Sequence, residues 1–128
     1  MPFAYDPLNP KFTFFSPAQD AKIDLAEHVD HAIIALDGRA PIAGDFCVEQ
    51  LNEVTGPATL RVDLWVEELG PFNVTYGFLV SSENGAIAYA RGERSIVNID
   101  PRSRKPLAWT PAFRASHIDL IKDLPAYA

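Results

Sequence analysis

The sequence predicts an α+β domain in which a five-stranded antiparallel sheet wraps around one central helix. The stretch from Thr59 to Asp100 has the pattern of three antiparallel strands in series. An amphipathic helical segment lies earlier in the chain, with a β-prone segment on either side of it. One strand, one helix and four further strands form the element order expected of a sheet that curves around a helix.

The first strand and the helix come from the first 37 residues. Lys11 to Phe15 is aromatic and β-prone, which predicts a short strand. Ser16 can cap a helix, Pro17 suits the first helical position, and Gln19 completes a capping-box spacing. We therefore expect one helix over residues 17–37. On a helical wheel its apolar face holds Ala18, Ala21, Leu25, Val29, Ala32, Ile33 and Leu36.

The remaining strands follow from alternation and turn residues. Apolar residues alternate with polar ones between Thr59 and Leu69, as in a strand with one buried face. Trp65 falls on the polar face of that strand, which indicates that another subunit covers this face. Asn84-Gly85 is a hairpin-turn dipeptide. The other expected elements are strands over 46–54, 72–80 and 86–99 and a short helix within 111–124.

Length and charge limit the function. The chain has 128 residues, 48% of them hydrophobic, which predicts a single domain over 1–128 with an N-terminal arm (1–10) and a C-terminal tail (101–128). A net charge of −6 argues against nucleic acid as a partner, and the sequence holds no apolar run of membrane-spanning length. The one cysteine, Cys47, cannot form an internal disulfide and is expected to be buried. With no signal-peptide pattern at the N-terminus, we expect a cytoplasmic protein.

The second half of the chain resembles the hotdog-fold thioesterases. The segments 59–70, 72–78 and 85–94 look like the three-strand meander of the 4-hydroxybenzoyl-CoA thioesterase and acyl-CoA thioester hydrolase group, and 99–111 looks like its basic, proline-containing exit. The resemblance extends over about 55 residues, from 59 to 111. It implies a hotdog fold, hydrolysis of an acyl-CoA thioester without a cofactor, and assembly as a homodimer or a dimer of dimers (homotetramer).

The segment 24–32 is similar to the family's active-site segment, Asp-x-x-Gly-His-Val-Asn-Asn-Ala. Its aspartate is the catalytic carboxylate in many members, so the resemblance implies Asp24 as the base or nucleophile, with His28 beside it. Glu27 stands in place of the glycine that lets the backbone approach the thioester carbonyl. Asp30 and His31 stand in place of the paired asparagines.

The residues themselves leave alternatives open. Asp24 lies either in a loop, as in the family, or inside the helix that the capping residues predict. Glu27 is the second candidate for the catalytic carboxylate. Asp24 with His28, and Glu27 with His31, are four residues apart, a spacing of helix-stabilising pairs. A metal would need further ligands, and we predict none.

Two other functions stay open beside hydrolysis. The altered segment is also compatible with a non-catalytic hotdog module, either an acyl-CoA-binding protein or a structural dimer. An acid–base pair of Asp24 and His28 would suit a hydroxyacyl-thioester dehydratase. For the anionic phosphates of coenzyme A, arginine and lysine are the fitting side chains. The candidate substrate-binding residues are His31, Arg91, Arg94, Arg102, Arg104 and Lys105.

Overall fold

The structure, a computed structural model, describes residues 10–18, 25–38, 44–54 and 58–121. Within these ranges the chain forms five strands and two helices. In chain order they are β1 (Phe12–Ala18), α1 (Leu25–Asp37), β2 (Phe46–Gln50), β3 (Ala58–Leu69), β4 (Asn73–Ser82), β5 (Ala88–Val97) and α2 (Pro111–Ile118). Neither helix in the described ranges is long and apolar enough to cross a membrane.

The five strands form one antiparallel sheet in the order β1-β3-β4-β5-β2. The long strands β3 and β4 occupy the middle, because each alternates apolar residues along one face and pairs on both sides. The two shorter strands, β1 and β2, lie at the edges. The predicted α+β architecture, a five-stranded antiparallel sheet with a helix on it, is confirmed.

Helix α1 packs on the face of the sheet that carries the apolar residues of β3 and β4. Val29, Ala32 and Ile33 are fully buried and belong to the same core cluster as the apolar face of β3. Leu25 and Leu36 are partly buried against that cluster. The predicted apolar face of the helix is therefore confirmed for the residues that the structure describes. From the sheet, the core receives Leu60, Val62, Leu64, Val66, Val74, Tyr76, Phe78 and Val80.

The predicted start of the helix is wrong. Ser16 and Pro17 lie in β1, where they pair with Leu60 and Thr59 of β3. Pro17 is tolerated there because β1 is an edge strand, whose outer backbone donors have no ladder partner. Long-range pairing with β3 therefore prevails over the local capping pattern, and the described helix has 13 residues.

Two further expectations about burial are corrected. Trp65 is fully buried within a single chain, so its position does not require a second subunit. Its indole lies against Gly77, the residue opposite it on β4, where a Cβ would overlap the ring, and its Nε1 donates to Glu67 Oε1 at 2.5 Å. Cys47, expected to be buried, is exposed, because β2 is the edge strand of the sheet.

The described C-terminal segment covers the end of β3 that β1 does not reach. Helix α2 begins after Thr110, whose side chain accepts from Phe113 N at 3.1 Å, and Pro111 takes its first position. Beyond α2, Val66 N donates to Leu120 O at 2.7 Å. This bond places the segment after α2 alongside β3, next to where β1 begins at Phe12.

Candidate functional site

The first two turns of α1 carry three of the candidate site residues. Glu27, His28 and His31 lie on this helix, which begins at Leu25. Asp24, the first candidate for the catalytic carboxylate, lies outside the described residues. Burial of the apolar face of α1 fixes the orientation of the helix, and thereby directs these polar side chains away from the core.

A hydrogen bond to β1 ties His28 to the sheet. Its Nδ1 lies 2.5 Å from the hydroxyl of Ser16 on β1. Ser16 is only 2% exposed, and its side chain points to the same face as the core residues Phe12 and Phe14. The candidate site therefore combines the first turn of α1 with the end of the first strand.

Sequence reasoning missed Ser16 as a site residue and assigned it to a helix cap. Phe12, Phe14 and Ser16 are two residues apart, the spacing of one strand face. A polar residue that continues an apolar strand face is expected to need a buried partner. That pattern could have identified Ser16, and His28 is the partner that the structure provides.

Glu27 and His31 form an exposed pair on α1. Glu27 Oε1 and His31 Nε2 are 3.7 Å apart, and both side chains are about half exposed, at 62% and 47%. The His31 ring also meets the His28 ring edge-on, with centroids 6.0 Å apart. Such an exposed pair at i, i+4 contributes at most about 0.5 kcal/mol to the helix. The predicted spacing of four between Glu27 and His31 is thus realised as a contact.

Arg94 links α1 to β5. Its Nε lies 3.2 Å from Asp30 Oδ1, and its Nη1 donates to the carbonyl of Asp45 at 3.4 Å. The Arg94 side chain is 12% exposed and that of Asp30 is 32% exposed, so the pair is partly shielded from water. Arg94 therefore holds the middle of α1 to β5.

Arg91 lies on the other face of the sheet. It pairs across the strands with Glu49 of β2, with 2.8 Å between Arg91 Nε and Glu49 Oε1. Residues three apart in a strand point to opposite faces, so Arg91 and Arg94 do not form one cluster. Arg94 alone, of these two, faces the helix.

The loop after β5 presents three exposed cations: Arg102, Arg104 and Lys105. Asp100 organises this loop, because its side chain accepts from Arg102 N at 2.8 Å and its carbonyl accepts from Arg104 N at 2.8 Å. None of the three cationic side chains forms an ion pair in the part of the chain that the structure describes. The five arginine and lysine side chains proposed from the sequence to bind phosphate therefore do not form one cluster. Arg91 and Arg94 lie on opposite faces of the sheet, and the other three lie in this loop.

A cavity of about 430 Å³ lies at the opposite end of α1 from His28. Rings stack on its α2 side: Trp109 on Phe113 at 3.9 Å and Phe113 on His117 at 3.8 Å between centroids. No sequence pattern singled out Trp109, Phe113 or His117. The cavity is lined by Leu36, Asp37, Asn98, Ile99, Pro101, Leu107, Ala108, Trp109, Thr110, Ala112, Phe113 and Ser116.

His117 is buried behind that stack as a neutral imidazole. Its Nδ1 lies 3.0 Å from the carbonyl of Phe113, which can only accept, and 2.9 Å from the Ser116 hydroxyl. Ser116 donates its proton to the same carbonyl at 2.8 Å, and in that arrangement Nδ1 carries the imidazole proton. Its Nε2 then accepts from the Tyr76 hydroxyl at 2.6 Å. Burial lowers the pKa of His117 below the ordinary value of 6.5, against smaller opposing effects of the Phe113 hydrogen bond and the charge of Asp37.

The described residues contain no group of three or more histidine, cysteine, aspartate or glutamate side chains that could hold a metal ion. What the first turn of α1 offers is a carboxylate in Glu27, an imidazole oriented by a buried hydroxyl, and Asp24 immediately before the helix in the sequence. Carboxylates and imidazoles are the groups that activate water and stabilise developing charge in acyl transfer.

Comparison with solved structures identifies the fold. The chain is similar to an inferred thioesterase from Pseudomonas aeruginosa, with a TM-score of 0.73 and 17% identity over 84% of this chain and 98% of that one. For a predicted thioesterase from Bacillus stearothermophilus the TM-score is 0.68 and the identity 14%, over 88% of this chain and 99% of that one. For the 1,4-dihydroxy-2-naphthoyl-CoA thioesterase from Synechocystis the TM-score is 0.62 and the identity 13%, over 84% of this chain and 97% of that one.

No family model and no curated protein matches the chain. At these identities the structural likeness establishes the fold alone. The neighbours are thioesterases of the hotdog-fold superfamily, so the chain has the hotdog fold that the resemblance of its sequence implied.

The burial of His117 predicts a stability that depends on pH. Because the pKa of His117 is lowered in the folded state, the unfolded chain binds the proton first as the pH falls through about 6.5. The free energy of unfolding should therefore decrease from about pH 7.5 to about pH 5.5, as measured by urea denaturation. His117→Gln should lower stability by about 1–3 kcal/mol at the higher pH, because it disrupts a buried hydrogen-bonded group. It should also flatten the pH dependence, and an equal slope in both proteins would contradict this assignment.

Proposed function

We propose that this chain hydrolyses an acyl-CoA thioester. The observation that carries the proposal is the Ser16–His28 hydrogen bond at the first turn of α1, next in sequence to the carboxylate of Asp24. Three of the structural neighbours carry the name thioesterase with the acyl group or carrier stated, including the naphthoyl-CoA enzyme from Synechocystis. Their shared fold supports placing thioester chemistry in this chain.

In the proposed reaction Asp24 serves as the base or the nucleophile. As a base, its carboxylate takes a proton from water while the water oxygen bonds to the thioester carbonyl carbon. The carbon–sulfur bond then breaks, and the CoA thiolate leaves and takes up a proton. As a nucleophile, Asp24 would form an acyl anhydride that water opens in a second step. Both routes need a donor for the carbonyl oxygen, whose negative charge rises during the attack.

Glu27 is the rival carboxylate, and its position also supports a second function. Its side chain is 62% exposed and contacts His31, so it is accessible to a substrate or to another subunit. Glu27 also replaces the glycine of the family segment, which removes the residue that lets the backbone approach the carbonyl. This replacement favours, as the alternative, a non-catalytic acyl-CoA-binding module with the same fold.

The loop cations are the residues we propose for phosphate recognition. Arg102, Arg104 and Lys105 are exposed and form no ion pair in the described ranges, so binding an anion breaks no existing charge pair. Arg91 and Arg94 are engaged with Glu49 and Asp30 and would have to exchange those partners. His31 lies beside the proposed site and is retained as a substrate contact.

We further propose a homodimer formed through strand β2, in the cytoplasm. Four of the five β2 residues are exposed, and one of them, Val48, is an apolar residue with 48% of its surface accessible. An edge strand with exposed apolar side chains invites pairing with another strand. A two-fold arrangement of β2 strands would join two sheets into one.

The first prediction concerns the catalytic carboxylate. On the best substrate from a panel of acyl-CoA thioesters, Asp24→Asn should lower kcat by about 100-fold or more, because the amide has the same shape but cannot act as a base. Thiol release, followed with a chromogenic disulfide, measures the rate. Glu27→Gln is the matched control and should keep most of the turnover.

The opposite result, normal turnover in Asp24→Asn and loss in Glu27→Gln, would assign the base to Glu27. Binding of acyl-CoA without any thiol release by the unmodified protein would contradict the hydrolase and support the binding module. Release of water from a hydroxyacyl-CoA would instead indicate a dehydratase.

The second prediction concerns the basic loop. Replacing Arg102, Arg104 and Lys105 together by glutamine should raise KM for an acyl-CoA by about five- to tenfold, since each exposed charge pair is worth about 0.2–1 kcal/mol. The same acyl group on N-acetylcysteamine lacks the phosphates and serves as the control, so its KM should not change. An equal effect on both substrates would assign the loop a structural role instead.

The third prediction concerns assembly. Light scattering at about micromolar concentration should give twice the chain mass of 14.1 kDa. Val48→Asp should convert the dimer to monomer, because it places a charge in the proposed strand pairing. Ile87→Asp is a matched control, since Ile87 is also 48% exposed but lies in the turn before β5. A monomeric mass for the unmodified protein would refute the dimer.

A further inference from the structure

The hydroxyl of Ser16 has one hydrogen-bond partner in the part of the chain that the structure describes, Nδ1 of His28 at 2.5 Å. A hydroxyl has a single proton to donate, and at 2% exposure Ser16 has little access to water as an acceptor. If Nδ1 donated to the hydroxyl oxygen, the buried hydroxyl proton would be left without an acceptor, which is unfavourable. The satisfied arrangement has Ser16 donating and Nδ1 accepting.

This direction of donation decides the tautomer of His28. A neutral imidazole carries one proton, so a ring whose Nδ1 accepts must hold that proton on Nε2. Nδ1 faces Ser16 on β1, and Nε2 lies at the other edge of the ring, directed away from that strand. In this state His28 is a hydrogen-bond donor at Nε2 and offers no free lone pair there to act as a base.

We propose that Ser16 is a positioning residue that holds His28 in the Nε2-protonated tautomer, so that Nε2–H donates to the carbonyl oxygen of the thioester. The second part rests on the proposed hydrolase function. It assigns different roles to the two candidate groups: Asp24 moves the proton, and His28 stabilises the negative charge that develops on oxygen.

Glu27 explains why a side-chain donor to the thioester carbonyl would be needed in this chain. The family segment has glycine at that position, where the backbone can approach the carbonyl closely, and this chain has Glu27. The family segment also has histidine at the next position, so His28 is a side-chain donor that this chain keeps although the glycine is lost. The hydrogen bond to the buried Ser16 hydroxyl fixes the orientation and tautomer of the ring before substrate binds, which reduces the reorganisation needed during the reaction.

The tautomer can be read without any substrate. Two-bond proton–nitrogen NMR spectra of the ring nitrogens, recorded at about pH 8 where imidazole side chains are ordinarily neutral, distinguish protonated from unprotonated nitrogen. The chain has 3 histidines, so His28→Gln identifies the His28 signals by their loss. His28 should be protonated at Nε2, and Ser16→Ala should lower the fraction in that form. A proton on Nδ1 in the unmodified protein would overturn the proposal.

Turnover tests whether the tautomer matters. Ser16→Ala should lower kcat by about tenfold and leave KM within about twofold, an effect typical of losing a residue that orients a catalytic side chain. Ser16→Thr keeps the hydroxyl and should restore most of the rate. Unchanged kcat in Ser16→Ala, with a folded protein, would show that Ser16 has only a structural role.

Two variants of His28 separate a donor from a base. Glutamine can place an amide N–H near the position of Nε2 but cannot take up a proton, whereas leucine provides neither function. His28→Leu should lower kcat by about 100-fold or more, as for loss of an oxyanion donor, and His28→Gln should retain about a tenth of the rate or more. Equal loss in both variants would contradict the donor role. If no thioester is hydrolysed at all, the proposed function and the donor role fail together, while the NMR spectra still decide the Ser16–His28 tautomer.

Discussion

The burial of three residues of α1 on the sheet sets the geometry of the candidate site. Val29, Ala32 and Ile33 are fully excluded from water and pack on the apolar face of β3 and β4. With this face fixed, the first turn of the helix can direct its polar residues only to the side and toward β1. The distance between His28 and Ser16 is thus a consequence of packing in the core.

A second set of contacts keeps the helix from rotating or sliding on the sheet. Arg94 joins Asp30 to β5 at one side, and Ser16 joins His28 to β1 at the other. Both contacts are partly or fully shielded from water, where a polar interaction is stronger and its loss more costly. The two ends of α1 therefore differ in chemistry. The first turn holds the His28 imidazole and the Glu27 carboxylate, whereas the last turn borders a cavity with an aromatic wall.

The sequence predicted those parts of the fold in which local pattern and tertiary packing agree. Strands β3 and β4 alternate cleanly, and the apolar face of α1 was identified from helical spacing. The start of the helix was misjudged because Ser16 and Pro17 have the chemistry of a helix cap, while pairing with β3 places them in a strand. Capping is worth about 1 kcal/mol, whereas extending the pairing with β3 also buries Ser16 and its hydrogen bond to His28, so the long-range pairing prevails.

The site was predictable only in part. The positions of Glu27, His28 and His31 on one helix followed from the sequence. The division of Arg91 and Arg94 between two sheet faces also follows from their odd spacing, which the grouping by charge overlooked. The Ser16 contact could not be read off, because it joins residues twelve apart whose distance depends on how the helix docks.

The central claim is that thioester chemistry takes place at the first turn of α1. A crystal structure with a CoA analogue that keeps the acyl carbonyl but replaces the cleavable sulfur by a methylene group would test it most directly. The account predicts that the carbonyl oxygen lies within hydrogen-bonding distance of His28 Nε2, with the carboxylate of Asp24 on the opposite side of the carbonyl carbon. An analogue whose acyl group occupies the cavity between the end of α1 and α2, with no contact to His28, would contradict it.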